Sequence, residues 1–149
     1  MPTDEFELEK FLPYLLNQAA EASSLAFERS YKAKYGMLRT EWRVLFHLGL
    51  YGSMTASEIG GRAKMHKTKI SRAVQRLTER RMVTRERDID DRRVEHLTLT
   101  SKGRAAYTDL RGIAERYEAA LVADLSAGET RALRIALAKL AEVRPAVFT

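Results

Sequence analysis

The chain contains no cysteine, which excludes disulfides, cysteine-bound zinc fingers and a thiol-based redox switch. It has no run approaching the ~20 apolar residues that span a bilayer. Its first ten residues, MPTDEFELEK, are acidic and lack the apolar centre of a secretory signal. A soluble, cytoplasmic protein without membrane association is the expectation. Also missing are a glycine-rich phosphate loop and any metal-ligand spacing among His47, His66 and His96. With no cysteine nucleophile either, the chain does not read as an enzyme, and no catalytic residue, metal or cofactor is expected. No linker, repeat or low-complexity segment interrupts it, so the 149 residues are read as one domain with room for a real core.

What is present is positive charge, unevenly placed. Lys and Arg number 26 against 20 Asp and Glu, a net charge of +6. Between Arg62 and Arg87, ten cations stand against only Glu79 and Glu86, so the rest of the chain is slightly acidic. A basic patch on an otherwise near-neutral protein is the footprint of a polyanion site. Charge runs are often no more than solvated helix faces. Here the run coincides with a local architecture that fits duplex DNA.

The flanking pattern is helical. Residues from Pro13 to about Tyr35 read as one helix, with proline in the first turn, where its missing N–H is harmless. Leu16, Ala19, Ala20, Phe27 and Tyr31 share an apolar face and Gly36 ends the helix. Thr40 is placed as the cap of a second helix, with Glu41 near the positive end of its dipole. Trp42, Leu45, Phe46 and Leu48 give that helix a core role before Gly52 stops it. Thr55-Ala56-Ser57-Glu58 is a capping box opening a short third helix to about Arg62. Gly60 and Gly61 weaken this helix by about 1 kcal/mol each relative to alanine, and a close helix–helix approach over Gly60 is one reason for small residues there.

A fourth helix begins near Lys67. Ile70, Ala73, Val74 and Leu77 fall at i, i+3, i+4 and i+7 and define its buried stripe. The opposite face carries Lys67, Thr68, Lys69, Ser71, Arg72, Gln75 and Arg76. Two short helices joined by a tight turn, the second basic outside, form a helix-turn-helix. Val83–Arg87 and Val94–Leu99 are then strand-like, with Leu97 and Leu99 on one face and the polar turn 88–93 between them. This hairpin makes the unit a winged helix. Thr100 caps a long fifth helix bearing Tyr107, Leu110, Ala114, Tyr117 and Leu121. Ser126-Ala127-Gly128-Glu129 is a second capping box, opening a last helix with Leu133, Leu137 and Leu140. The predicted fold is mainly α with a small β-hairpin wing.

By chemistry, Arg72 and Gln75 suit bidentate contacts to guanine and adenine edges, each worth roughly 1–3 kcal/mol of discrimination. Lys67, Thr68, Ser71 and Arg76 suit phosphates, and for Arg76 a salt bridge to a neighbouring acid is an equal alternative. Asp91 cannot favourably face a phosphate and is assigned to fixing the wing turn or orienting an arginine.

The motif Asp91-x-Arg93-x-x-x-Leu97-x-Leu99-Thr100-x-x-Gly103 resembles the wing-and-helix signature of the MarR family of bacterial transcription regulators. Lys67 to Arg72 and Val83-Thr84-Arg85 match that family's recognition helix and first wing strand, and the order of elements agrees from about Pro13 to Glu142. The resemblance implies a homodimer on an inverted-repeat operator, with two recognition helices in successive major grooves roughly 34 Å apart. It implies dimerisation helices at 13–36 and 101–145 around a winged helix-turn-helix at 40–100. It also implies that Arg93 or Arg92 enters the minor groove, where narrow A·T tracts concentrate negative potential. Two positions depart from the family pattern. Arg81 stands where glycine is common, which means a mildly strained arginine or a different helix end. His66 replaces the usual cap of the recognition helix.

Family members commonly bind small anionic aromatic compounds or related metabolites, which implies an effector such as an aromatic acid or its CoA thioester. The lining residues would be Ser23, Phe27, Arg43, His47, Tyr51 and Tyr107, with Arg43 and His47 placed i, i+4 to hold a carboxylate. The plainer assignment, which we favour, pairs Arg43 with an acid and makes His47 a packed, hydrogen-bonded histidine. A repressor released by an effector is the leading expectation. A constitutive or architectural DNA binder without effector is the alternative.

Overall fold

The computed structural model describes residues 5–142, and the chain divides after Ala114 into two compact units. A single helical turn (Leu8–Lys10) precedes α1 (Leu12–Tyr35), α2 (Arg39–Tyr51), β1 (Met54–Thr55), α3 (Ala56–Ala63), α4 (Lys67–Glu79), β2 (Val83–Arg87), β3 (Glu95–Leu99), α5 (Ser101–Leu121) and α6 (Ala127–Leu140). The first unit is a winged helix-turn-helix, and α3 and α4 are its paired helices. No helix among the described residues is long and apolar enough to cross a membrane.

The core of this unit follows from the apolar spacing. Ile70, Ala73, Val74 and Leu77 of α4 are all buried, as their i, i+3, i+4, i+7 pattern predicts, and α4 packs against α2 and α3, where Val44, Leu45, Leu48 and Ile59 are buried as well. Burying one such leucine contributes about 2 kcal/mol. A Cβ on Gly60 would lie 2.9 Å from Ile70 Cδ1, so α3 and α4 do approach closely over that glycine.

Four expectations need correction. The cap of α2 is Leu38, not Thr40, which lies inside the helix. The Leu38 N–H donates to Glu41 Oε2 at 3.0 Å, the carboxylate half of a capping box in which leucine has no hydroxyl to supply the other half. The apolar face of α1 is buried only at Phe27 and Tyr31, while Leu16 is half-buried and Ala19 and Ala20 are exposed. The hairpin is the larger part of a three-stranded antiparallel sheet, because Met54 and Thr55 pair with Leu97 and His96 to give the order β1-β3-β2. Thr55 thus serves both a strand and the α3 cap, where its Oγ1 accepts the Glu58 N–H at 3.1 Å. The Glu58 carboxylate answers to the Thr55 hydroxyl at 3.2 Å rather than to a backbone N–H.

α4 ends in two reciprocal bonds. Met82 N–H donates to Leu77 O and Arg81 N–H to Thr78 O, both at 2.9 Å, and between them Arg81 takes φ 62°. This ending needs a left-handed residue and is usually built on glycine, because a Cβ there costs about 1 kcal/mol. Arg81→Gly should therefore stabilise the fold by up to about 1 kcal/mol, seen as a higher denaturation midpoint. A lower midpoint would show that the arginine side chain outweighs the strain.

The Thr100 hydroxyl accepts the Gly103 N–H at 3.0 Å and donates to Arg81 O at 2.6 Å, joining the start of α5 to the end of the recognition helix. The second unit begins at Glu115 and contains the end of α5 and α6. Ser126 and Glu129 form the predicted capping box, Arg134 pairs with Glu118 at 2.9 Å, and Leu133, Ile135, Leu137 and Leu140 are exposed. Residues 143–145, expected to continue the terminal helix, lie outside the described residues.

Candidate nucleic-acid interface

His66 sets the start of the recognition helix. Its Nδ1 accepts the Thr68 N–H at 3.2 Å, so an imidazole does the capping that serine or aspartate more often does. Lys67, Thr68, Lys69, Ser71, Arg72, Gln75 and Arg76 are all exposed on one side of α4. The Gln75 amide donates weakly to Glu79 Oε1 at 3.3 Å. Among the described residues Arg76 has no acidic partner, so the salt bridge held open for it is not formed. Hollows flank the helix, and two of them border its basic row. One, of about 200 Å³, is bordered by Leu38, Thr40, Lys69, Arg72, Ala73 and Arg76. The other, of about 420 Å³, lies between α3, α4 and the wing, with Ser71, Arg85 and Arg93 on its rim and Val74 and Leu97 on its floor. Both rims carry cations on the face that a polyanion would meet.

The wing turn is organised by two carboxylates. Asp88 Oδ2 accepts the N–H groups of Asp90 and Asp91 at 3.1 and 2.9 Å, and its Oδ1 lies 3.0 Å from His96 Nε2 across the strands. Asp91 accepts the Arg93 backbone N–H at 3.0 Å and grips its guanidinium at 3.1 and 3.3 Å. Asp91 therefore does both things assigned to it, fixing the turn and orienting an arginine. The Arg93 side chain remains 91% exposed at this site, and Arg92 beside it is exposed as well. Sequence reasoning missed Asp88. Its signal was an aspartate at the head of a loop, where the carboxylate can bond N–H groups two and three residues on.

These bonds favour the ionised carboxylates. The Asp91 N–H and His96 hold the Asp88 carboxyl below its usual range, and the Arg93 guanidinium and N–H do the same for Asp91. Groups with lowered values in the folded state contribute order above the ordinary carboxylate range and lose it as pH falls through the lowered value. The amides of Asp90, Asp91 and Arg93 should keep their exchange protection at pH 5 and lose it well below about pH 4. Protection unchanged at pH 2 would show that the carboxylates do not hold the turn.

The six residues expected to hold an effector fall into separate groups. Phe27 and Tyr107 are buried at the two ends of a ladder of edge-to-face rings: Phe27–Trp42 at 5.2 Å, Trp42–Phe46 at 5.2 Å and Phe46–Tyr107 at 5.3 Å. Trp42 is thus a half-buried rung rather than a fully buried core residue. Arg43, His47 and Tyr51 line another face of α2. Arg43 donates to the Ala63 carbonyl at the end of α3, not to an acid as the plainer assignment had it. His47 Nδ1 lies 2.6 Å from the Arg43 carbonyl, and the Arg62 guanidinium stands 4.1 Å over the Tyr51 ring. The Ser23 hydroxyl bonds to Ala20 O in its own helix at 3.2 Å.

The sequence model of the MarR family matches residues 35–94, the span from the end of α1 to the wing turn. Over this span the chain is similar to the MarR family. No curated protein sequence matches the chain. Among solved structures, it is similar to a probable transcriptional regulator from Pseudomonas aeruginosa, with a TM-score of 0.81 and 28% identity over 90% of this chain and 99% of the other. A mutant MarR from E. coli, complexed with operator DNA, superposes at TM-score 0.80 and 19% identity over 93% and 99%. BpsR of Bordetella bronchiseptica, whose DNA binding is regulated by 6-hydroxynicotinic acid, does so at 0.85 and 20% over 93% and 99%. The last two establish the shared fold. The Pseudomonas aeruginosa protein is described as a probable transcriptional regulator, and this chain shares its winged-helix fold.

Proposed function

We propose that the protein is a sequence-specific DNA-binding repressor that acts as a homodimer on an inverted-repeat operator and is released by a small effector, an aromatic acid or its CoA thioester. The observation that carries this is the exposed row Lys67, Thr68, Lys69, Ser71, Arg72, Gln75 and Arg76 on α4 beside a wing turn locked by Asp88 and Asp91. In this reading Arg72 and Gln75 meet base edges, Lys67, Thr68, Lys69, Ser71 and Arg76 hold phosphates, and Arg92 or Arg93 enters the minor groove. The winged unit at 40–100 reads DNA and the helices at 13–36 and 101–145 dimerise. Exposed apolar side chains support the dimer: Leu12 and Leu15 on α1, and Leu133, Ile135, Leu137 and Leu140 on α6. Of the residues assigned to the effector, Arg43 is the cation that a carboxylate would need.

The test is a gel shift against the DNA upstream of the protein's own coding sequence, at two salt concentrations. A discrete band that depends on a palindrome and weakens with salt is expected. No shift at either concentration would end the DNA-binding reading. Aromatic acids should then raise the melting temperature of wild type, because a ligand of the native state stabilises it. They should release wild-type DNA but not DNA held by Arg43→Ala, whose operator affinity stays intact. Tight operator binding that no such compound releases would favour a constitutive binder instead.

A further inference from the structure

Arg80 caps the C-terminal end of α4 and lies outside the DNA-facing row. Its Nη1 donates to the Tyr35 carbonyl at 2.6 Å and its Nη2 to the Gly36 carbonyl at 2.9 Å. These carbonyls close α1, where the helix dipole presents its negative end. The same Nη1 lies 3.7 Å from Glu41 Oε1 in the first turn of α2. Glu41 is wholly buried, and among the described residues that oxygen has no hydrogen-bond partner. Tyr35 is held from its other end as well: its hydroxyl donates to Asp109 Oδ2 of α5 at 2.6 Å, and Lys34 pairs with the same oxygen at 2.7 Å. One guanidinium at the end of the helix that faces DNA thus links the end of α1 to the start of α2, and Tyr35 carries the link on to α5.

We propose that Arg80 is a positioning residue for operator recognition: it pins the C-terminal end of α4 to the corner between α1 and α2, so that the α1–α5 framework sets the angle at which the recognition helix is presented. This rests on the DNA-binding reading above. Arg72 stands eight residues from the pin, about 12 Å along the helix, so a tilt of about 5° about that end moves it by about 1 Å. Bidentate base contacts hold only within about 0.5 Å of their geometry, whereas lysines follow phosphates as point charges. Loss of the pin therefore separates specific from non-specific binding. Lysine cannot replace it, because an ammonium lacks the planar fork that spans two adjacent carbonyls.

The experiment compares full-length wild type, Arg80→Lys and Arg80→Met on a selected operator and on random duplex of equal length, with thermal melts of each. For Arg80→Lys the expected result is near-normal melting, unchanged affinity for random DNA and an unchanged salt slope, with operator affinity lower by about tenfold. Unchanged operator affinity in a folded Arg80→Lys overturns the proposal. So does an equal loss on both DNAs, which marks a plain phosphate contact. Arg80→Met leaves Glu41 buried beside no guanidinium and is expected to melt early, and Glu41→Gln in the same chain should restore folding while operator affinity stays low. If that double variant regains operator affinity along with its fold, Arg80 served only to neutralise Glu41 and the proposal fails. A wild type with no preference for any operator removes the DNA-binding reading, and this inference with it.

Discussion

Gly103→Ala is expected to destabilise the protein by about 3 kcal/mol and to lower its melting temperature by on the order of 10 °C. A Cβ at this position would lie 2.1 Å from Met82 O and 3.0 Å from Met82 C, and both of these are backbone atoms. No rotamer change relieves such a contact. Nor can the carbonyl simply retreat, because Met82 O accepts the Thr100 N–H at 3.0 Å and Met82 N–H is tied to Leu77 O. Separation would break the junction of recognition helix, first wing strand and α5 together. The glycine that closes the signature motif is thus needed for close backbone approach rather than for an unusual backbone angle. Gly61 is the control. Nothing among the described residues lies within 4 Å of a Cβ there, so Gly61→Ala should be neutral or stabilise α3 by up to about 1 kcal/mol. Equilibrium denaturation of the two variants decides the matter, and a wild-type midpoint for Gly103→Ala would mean that the junction gives way at little cost.

What could be read in the sequence was what periodicity and short-range capping determine. The stripe of α4, the capping box at Ser126 and the cap at Thr100 each depend on residues within one or two helical turns, and each formed as expected. Arg81 was legible as a misfit because a glycine position implies a left-handed backbone, and φ 62° is what it adopts. β1 was not legible: two residues cannot show alternation, and its pairing with β3 spans about 40 residues of sequence. The Arg80 clamp was hidden for the same reason, since its partners at Tyr35 and Gly36 lie 45 and 44 residues away. Thr40 misled because residue type alone cannot tell a threonine that caps from one two residues inside, when Glu41 can reach back instead. The uncovered stretch of α1 around Ala19 and Ala20 shows that an apolar face predicts burial without saying which surface supplies it.

Arg72→Ala should cost operator affinity roughly 10- to 100-fold, from the 1–3 kcal/mol that a bidentate base contact contributes. The side chain is exposed on the front of α4 between the buried positions Ile70 and Ala73, so its loss leaves the core intact and the melting temperature near wild type. On random duplex the variant loses only one cation's attraction, which lowers the salt slope by about one counterion without selectivity. The contrast with Lys69→Ala separates the two jobs. A lysine on a phosphate weakens binding to every sequence alike, while an arginine on a guanine edge weakens it only where that base is present. Substituting the operator position that Arg72 reads should therefore cost wild type much and Arg72→Ala little, whereas Lys69→Ala should keep the full wild-type penalty. Titrations of both variants on the matched and substituted operators measure this directly. If Arg72→Ala retains that penalty, the base is read by another residue, and Gln75, one turn along the same exposed face, is the next to replace.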